Sequence, residues 1–435
     1  MILNIHQINF FLLLCTFFSG IAFAQQTSGI TENIISNENG FPIVSVDGKA
    51  TAIFYDASED VAVIRAVKDL QSDIQKVTGK LPNLSTLETS GDFEIIIGTL
   101  GDNKIIDQLV ASKKIDTKDL KGKWESFVIT TLENRKSKKQ LIIAGSDRRG
   151  TIYGIYELSK QLGVSPWHYW SDVPVQKRSS AYVIPGYFAS GEPKVKYRGI
   201  FINDEEPAFG TWTRTKFGGI NSKMYSHMFE LLLRLRANYF WPAMWGKAFN
   251  EDDPMNPKVA DEYVIVMGTS HHEPMMRAQK EWGNHRTEYG NGEWNYHTNK
   301  EGLLKFWEDG FSRNKSYDNL VTMGMRGDGD EPMSDLGSAE ANFKLLEQIM
   351  RDQRKIIEKV TKKPAKETPQ LWALYSEVLE YYDLGMKVPE DMTILLCDDN
   401  WGNVRRLPDL NGKKHPGGYG MYYHVDLHGA PRAYQ

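Results

Sequence analysis

The side chains of this sequence that could do chemistry are carboxylates and aromatic rings that follow short apolar segments. The acidic residues in these positions are Asp204, Glu205, Glu206, Asp328, Asp330, Glu331, Glu377, Asp398, Asp399 and Asp426. The aromatic residues among them are Trp241, Trp245, Tyr375, Trp401, Tyr422 and Tyr423. Carboxylates with aromatic rings are suited to cleaving a glycosidic bond, because one acid protonates the leaving oxygen, another activates water, and rings pack against sugar faces.

Seven apolar segments precede these clusters, and each is typical of a β-strand. They span residues 198–202, 237–240, 263–268, 319–325, 369–374, 393–397 and 417–422. Amphipathic helical stretches lie between them, such as residues 223–236 and 340–360. Alternating strands and helices predict parallel strands with right-handed crossovers. Polar residues follow every strand, which favours a (β/α)8 TIM-type barrel over an open sheet with a single switch point.

The sequence divides into three predicted parts. Residues 1–24 contain an apolar core that ends in Ala22-Phe23-Ala24, so we expect a signal peptide and a periplasmic or secreted protein without a membrane anchor. Residues 25–190 predict a smaller α/β accessory domain, and the glycines and proline around residues 187–194 predict a linker. Residues 191–435 then form the TIM-type barrel, which would carry the catalytic residues.

The composition is that of an ordinary globular protein. The chain has 435 residues, of which 41% are hydrophobic and 25% charged, and its formal net charge is −4. This balance provides no basic face for a nucleic acid or an anionic lipid, so we expect neither as a partner.

Histidines beside the carboxylates raise the question of a metal ion. His271 and His272 are adjacent, so their side chains diverge on a strand, whereas His424, Asp426 and His428 have the i, i+2 spacing that permits chelation. Hydrogen bonding to sugar hydroxyls is the alternative for these histidines. We expect that alternative, with no metal and no cofactor, and a metal-dependent sugar isomerase or hydrolase remains a rival interpretation.

Three positions stand out within the clusters. Glu377 emerges from an apolar strand and precedes Val378, so a purely structural role would place a charge in apolar company. Asp398 and Asp399 are adjacent and point to opposite faces, and we expect Asp398 to point inward. Arg326 is a cation among many acids, and its planar fork suits a carboxylate such as that of a uronic acid.

Longer segments of the chain resemble glycoside hydrolase family 115. The matching segments are KYRGIFINDE at residues 196–205, WPAMW at 241–245, GTSHHEPM at 268–275, GMRGDGDE at 324–331 and DDNWG at 398–402. The resemblance extends from about residue 150 to residue 435. It implies a xylan α-1,2-glucuronidase, an inverting hydrolase that removes glucuronic acid or its 4-O-methyl form from glucuronoxylan or decorated xylo-oligosaccharides.

The resemblance also implies roles for individual residues. The catalytic candidates are Glu377, Asp398, Asp204 and Asp330. We expect Glu377 to be the acid and Asp398 or Asp204 to be the base. Arg326 would face the uronate, and the other residues expected to line the pocket are Trp245, His271, Tyr375, Asn400, Tyr422 and His424.

Members of that family continue beyond the last residue of this sequence. The resemblance therefore implies a barrel truncated before its last strand and a possible homodimer for the full-length family member. A second candidate is another glycosidase of this fold, for example a hexosaminidase, whose accessory domain would resemble residues 25–190. A third is a truncated fragment that binds glycans without turnover.

Overall fold

The computed structural model of the chain describes residue 30 and residues 32–87, 90–133, 138–202, 204, 206–408 and 414–425. The predicted signal peptide, residues 1–24, lies outside the described residues, as do Asp426 and His428.

The first part of the described chain mixes short strands with three helices. Its strands are β1 (Ile35–Ser36), β2 (Phe41–Val44), β3 (Ile53–Tyr55), β4 (Leu84–Ser85), β5 (Phe93–Thr99), β6 (Phe127–Glu133), β7 (Lys139–Gly145), β8 (Ala181–Val183) and β9 (Tyr187–Ser190). Its helices are α1 (Val61–Thr78), α2 (Lys104–Ala111) and α3 (Arg148–Leu162). The sequence-based expectation of a small α/β unit agrees with this element order.

These strands form two sheets. The larger has the order β4-β3-β5-β7-β6-β9, in which β6 pairs antiparallel with both β7 and β9. The smaller has the order β1-β8-β2 and is antiparallel. The linker predicted over residues 187–194 is wrong in its first half, because residues 187–190 are the edge strand β9. Pairing with β6 satisfies backbone groups that a free linker would leave to water.

The second part alternates strands and helices. Its strands are β10 (Gly199–Phe201), β11 (Tyr239–Trp241), β12 (Val266–Met267), β13 (Val321–Thr322), β14 (Gln370–Leu374), β15 (Thr393–Cys397) and β16 (Tyr419–Tyr422). Its helices are α4 (Phe209–Phe217), α5 (Ser222–Arg234), α6 (Phe249–Asp252), α7 (Asn256–Glu262), α8 (Gln279–His285), α9 (Lys300–Asn314), α10 (Ala339–Thr361) and α11 (Glu377–Asp383). All seven predicted strands and both predicted helices are confirmed, and most of the strands are shorter than predicted.

The seven strands are parallel and follow each other in chain order. β10, β11 and β12 form one ladder, and β13 to β16 form another. A single parallel bridge between Met267 and Asn319 joins the two ladders. No backbone pairing joins β16 to β10 among the described residues, although the Tyr422 ring lies 6.0 Å from the Phe201 ring. The sheet is therefore a mixed α/β arrangement of seven parallel strands, and closure into a barrel stays a prediction.

Two of the longer helices have capping residues at their ends. Asp147 precedes α3 and accepts a hydrogen bond from the Gly150 N–H at 2.8 Å, and α3 ends at Gly163 with a φ of 115°. Ser338 precedes α10 and accepts from the Ala341 N–H at 3.1 Å. Side-chain acceptors at the start and glycine at the end stabilise a helix by satisfying terminal backbone groups.

Ion pairs join the first part of the chain to the second. Glu125 is buried and lies 2.5 Å from Arg198, and it accepts a hydrogen bond from the Asn238 amide at 2.7 Å. Glu157 on α3 lies 2.7 Å from Arg236. These contacts fix the amino-terminal ends of β10 and β11.

In the described part of the chain, no helix is both long and apolar enough to span a membrane.

Candidate active site

The carboxyl ends of the parallel strands bring the predicted site residues into one region. Asp204 follows β10, Trp245 follows β11 and His271 follows β12. Arg326 and Asp330 follow β13, Tyr375 and Glu377 follow β14, and Asp398 and Asn400 follow β15. Tyr422 ends β16, and His424 follows it. Hydrogen bonds and ring contacts link most of these residues directly.

Arg326 is the centre of an ionic cluster. Only 4% of Arg326 is exposed, and its guanidinium donates to both carboxylate oxygens of Glu377, from Nε at 3.0 Å and from NH2 at 2.8 Å. NH1 donates to the Asp330 carbonyl at 2.8 Å and also contacts the Asp330 carboxylate. A bidentate pair of this kind fixes geometry as well as charge. Arg326 therefore holds Glu377 and Asp330 on either side of one cation.

His271 connects this cluster to the aromatic wall of the site. Its Nε2 donates to Asp330 Oδ1 at 2.8 Å, and its ring centroid lies 4.2 Å from that of Tyr375. Burial lowers the pKa of His271, so the ring is neutral near pH 7. Its Nδ1 is buried and has no hydrogen-bond partner among the described residues. That nitrogen can accept a hydrogen bond from a ligand hydroxyl.

The charge of Asp330 is stabilised by its surroundings. Burial alone would raise the pKa of Asp330, but the hydrogen bond from His271 and the neighbouring charges outweigh it and hold the pKa below its usual value. Asp330 also has a positive φ of 71°, which is uncommon outside glycine. The carboxylate is thus aimed by a strained backbone and stays ionised near neutral pH.

His271, His272 and Asp330 are close enough together to hold a metal ion. Their present contacts do not fit one. The Nδ1 atom of His272 already has a partner, because it lies 3.0 Å from Ser270 Oγ. The guanidinium of Arg326 already contacts the Asp330 carboxylate, so a divalent cation bound there would be repelled at short range. The other metal candidate of the sequence includes Asp426 and His428, which lie outside the described residues.

Asp398 is a buried carboxylate that organises the segment after β16. Its side chain is fully buried and accepts hydrogen bonds from His424 Nδ1 at 2.5 Å, the His424 N–H at 3.0 Å and the Gly402 N–H at 3.1 Å. Burial raises the pKa of Asp398, and these hydrogen bonds outweigh it, so the pKa lies below its usual value. Asp398 therefore orients the His424 imidazole, with Nδ1 as the donor.

The neighbouring Asp399 points elsewhere. It accepts hydrogen bonds from Arg405 Nε at 2.6 Å and from the Asn403 N–H at 3.0 Å, both within its own loop. Asp398 therefore binds His424, whereas Asp399 binds only its own loop, because successive side chains of an extended backbone point to opposite faces.

Tyr375 and Asn400 connect the Arg326 cluster to the segment after β15. The Asn400 amide donates to the Tyr375 hydroxyl at 2.9 Å, and the Arg326 guanidinium lies 5.3 Å from the Tyr375 ring centroid. Asn400 Oδ1 is buried and has no partner among the described residues. The Tyr422 and His424 rings are tilted by 47° to each other, with centroids 4.4 Å apart. Aromatic rings therefore line this side of the site, and buried polar atoms such as Asn400 Oδ1 lie among them.

Asp204 and Trp245 lie together on the other side. The Trp245 N–H donates to Asp204 Oδ1 at 3.1 Å, and Asp204 is 7% exposed. The Trp245 side chain is exposed, and its ring lies 6.5 Å from that of His272. Asp204 therefore fixes the backbone that presents an exposed tryptophan beside the histidines.

Three residues that support the site, directly or through its neighbours, were not predicted from the sequence. The Trp294 indole donates to the Arg326 carbonyl at 2.9 Å, and the Gln279 side chain contacts Asp328. Gln353 on α10 contacts the backbone of Gly324. Trp294 and Gln353 are distant from Arg326 in sequence and belong to no motif, so only the fold reveals them. Glu273 follows the two histidines in sequence and is a buried carboxyl whose pKa burial raises to about 8.

Known protein families and solved structures resemble both parts of this chain. The model of glycosyl hydrolase family 115 matches residues 190–435, and that of the glycosyl hydrolase family 67 N-terminus matches residues 48–158. A solved structure of the GH115 4-O-methyl-α-glucuronidase BtGH115A, with specificity for decorated arabinogalactans, is 35% identical, with a TM-score of 0.78. The match covers 90% of this chain and 50% of that one, so the chain spans about half the length of that structure.

More distant structures were also found. A GH138 enzyme targeting pectin rhamnogalacturonan II is 14% identical over 80% of this chain and 48% of its own, with a TM-score of 0.45. The N-acetyl-β-hexosaminidase of Streptomyces plicatus is 12% identical over 88% of this chain and 77% of its own, also with a TM-score of 0.45. Likenesses this weak support no conclusion about function. No curated protein matches the chain. The family match and the 35% identity over most of the chain together establish that it belongs to glycoside hydrolase family 115.

Proposed function

We propose that this site hydrolyses the α-1,2 bond that links glucuronic acid, or its 4-O-methyl form, to the xylose units of glucuronoxylan. The observation that carries the proposal is the cluster of Glu377, Asp330 and Arg326 beside the Asp398–His424 pair. In a member of family 115, such carboxylates at the ends of parallel strands are the groups that act on a glycosidic bond. A polymeric substrate also fits the periplasmic or secreted location that residues 1–24 predict.

An inverting mechanism needs an acid and a base on opposite sides of the bond. We assign the acid to Glu377, which leaves β14 at the start of α11. Both of its oxygens accept from the Arg326 fork, so Glu377 would carry the proton for the leaving oxygen only once the uronate has taken its place on Arg326. The base candidates are Asp398 and Asp204. Carboxyl groups in inverting enzymes are about 6.5 to 9.5 Å apart, which leaves room for the attacking water. Asp398 holds His424 in the present state, so it could take a proton directly only if that hydrogen bond were exchanged.

The polar atoms without partners favour a sugar as the ligand. His271 Nδ1 and Asn400 Oδ1 are both buried acceptors without a partner in the described chain. Sugar hydroxyls are donors that could satisfy both atoms, while Tyr375 and Tyr422 supply ring faces. Arg326 would meet a uronate only by exchanging part of its pairing with Glu377 or Asp330. The carboxylate of the uronate would then take the place of Glu377 or Asp330 on the Arg326 guanidinium.

The experiment compares two glucuronidated polymers. Purified protein is incubated with glucuronoxylan and with glucuronidated arabinogalactan, because the similar enzyme BtGH115A has specificity for decorated arabinogalactans. We expect 4-O-methylglucuronic acid from glucuronoxylan and none from the Glu377→Gln variant, which keeps the shape of the side chain. Release from arabinogalactan alone would overturn the xylan assignment and keep the glucuronidase. Release of hexosamine from an aryl hexosaminide would favour the hexosaminidase alternative.

A further inference from the structure

The backbone that carries Arg326 leaves its sheet early. β13 contains only Val321 and Thr322, and its last ladder hydrogen bond runs from the Met323 N–H to the Leu371 carbonyl at 2.9 Å. The next residue, Gly324, has a φ of 93°, which L side chains rarely adopt. A Cβ at this position would lie 2.6 Å from the Trp372 indole nitrogen, so the glycine also permits a close approach. The chain thus turns out of the ladder two residues before Arg326.

At this turn, a glutamine side chain takes over the backbone hydrogen bonds that a neighbouring strand would otherwise make. Gln353 on α10 accepts from the Gly324 N–H at 2.8 Å and donates to the Gly324 carbonyl at 2.7 Å. It is completely buried. A primary amide offers the same donor and acceptor as a peptide group, so one side chain satisfies both backbone groups of Gly324. Without it, two buried polar groups would be left unpaired, which is costly.

The turn determines where the guanidinium lies. Gly324 is followed by Met325, which is buried, and then by Arg326, whose carbonyl is held by the Trp294 indole at 2.9 Å. The Arg326 fork meets Glu377 at 3.0 and 2.8 Å, distances that a small shift of the backbone would break. The contact between Gln353 and Gly324 therefore lies at the root of the segment that aims Arg326.

We propose that Gln353 is a positioning residue for hydrolysis, acting through Gly324 to align Arg326 with the acid Glu377. Gln353 does not touch the site itself, and the inference rests on the proposed function. Misplacing a catalytic group by about 1 Å can reduce turnover by about a hundredfold. The effect should therefore appear in kcat, and KM should rise as well, because Arg326 is also the group that would bind the uronate.

The test uses two buried glutamines whose side chains both bond backbone groups. Gln353→Met removes the contact with Gly324 and keeps the volume of the side chain. Gln370→Met is the matched control: Gln370 is 2% exposed and donates to the Ala365 carbonyl at 2.6 Å and to the Thr368 carbonyl at 3.0 Å, at the opposite end of β14. Both variants should melt at lower temperature. Only Gln353→Met should lower kcat, by about tenfold to a hundredfold.

Gln353→Asn provides a milder second variant should the methionine variant fail to fold. Its amide is one methylene too short to bond both groups of Gly324, and we expect a kcat loss in the same direction. Wild-type kcat in a folded Gln353 variant, or an equal kcat loss in Gln370→Met, would overturn the inference.

A crystal structure of the Gln353 variant separates this inference from the proposed function. We expect at least one of the two contacts between Arg326 and Glu377 to lengthen beyond about 3.5 Å, the limit of a hydrogen bond. An unchanged pair overturns the positioning role even if the wild-type protein shows no glucuronidase activity. A wild-type protein that releases no glucuronic acid overturns the proposed function. The Arg326–Glu377 distances in the variant structure then still test whether Gln353 positions Arg326.

Discussion

At the scale of single residues, the site pairs each carboxylate with a specific partner. Glu377 and Asp330 share Arg326, and Asp398 orients His424. These pairings could not be obtained from the sequence, which placed the residues at strand ends and left the partners open. The reason is physical: Arg326 and Glu377 are 51 positions apart and meet only because β13 and β14 are neighbours.

The two adjacent aspartates after β15 give a matched test of this pairing. We expect Asp398→Asn to lower kcat/KM by about a hundredfold, because the amide no longer holds the His424 ring through a charged acceptor. Asp399→Asn should stay within about threefold of wild type, since its contacts with Arg405 and Asn403 lie in its own loop. Steady-state kinetics on glucuronoxylan measures both. Equal losses in the two variants would refute the separate roles.

A buried carboxyl beside the site should make stability depend on pH. Glu273 is 2% exposed, and burial raises its pKa to about 8 from an ordinary value of 4.5. The folded protein therefore binds a proton more tightly than the unfolded chain, and this contribution to stability is complete below pH 4.5 and is lost as the pH rises toward 8.

Glu273→Gln removes that proton-binding difference. We expect the free energy of unfolding of wild type to fall between about pH 5 and pH 8 relative to this variant. Urea titrations at three pH values across this range measure the difference. A constant difference between the two proteins would show that Glu273 is ionised in the folded state.

At the scale of elements, the alternation of strands and helices was predictable, whereas several element ends were not. The segments at 263–268 and 319–325 form strands of only two residues, because Val264 has a φ of 49° and Gly324 one of 93°. Residues 187–190 form β9, since β6 offers a free edge for pairing. Positive φ at a valine and pairing with a distant edge are tertiary effects, which local periodicity does not reveal.

A buried carboxylate stabilises the junction between the two parts of the chain. Glu125 has a φ of 52°, which places its buried carboxylate against Arg198 and Asn238 at the start of β10 and β11. Breaking a buried ion pair by removing one partner is costly because the remaining charge stays uncompensated. Arg198 keeps some contact with solvent, which reduces that cost.

We expect Glu125→Gln to lower the free energy of unfolding by about 2 kcal/mol. Glu192→Gln is the control, because its ion pair with Lys123 is partly exposed and should contribute less than about 0.5 kcal/mol. Denaturant unfolding followed by circular dichroism measures both. If the two variants had the same stability, the junction would not depend on this buried pair.

At the scale of the whole molecule, the chain combines a small α/β unit with seven parallel strands whose carboxyl ends meet at one site. Family membership and the positions of Asp398, Arg326 and His271 were predicted from long sequence motifs, and Glu377 was predicted from its place after an apolar strand. The roles of Gln353 and Trp294 did not, since their contacts depend on how α10 and the segment before α9 pack behind the site. The central claim is that this arrangement cleaves an α-glucuronosyl bond with inversion.

The most direct test is proton NMR of the first product released from glucuronoxylan by the purified protein. Inversion at an α-linkage gives the β-anomer of 4-O-methylglucuronic acid before mutarotation mixes the two forms. We predict that the β-anomer appears first and that Glu377→Gln releases neither form. A folded protein that releases no uronic acid, or one that yields the α-anomer first, would contradict the account.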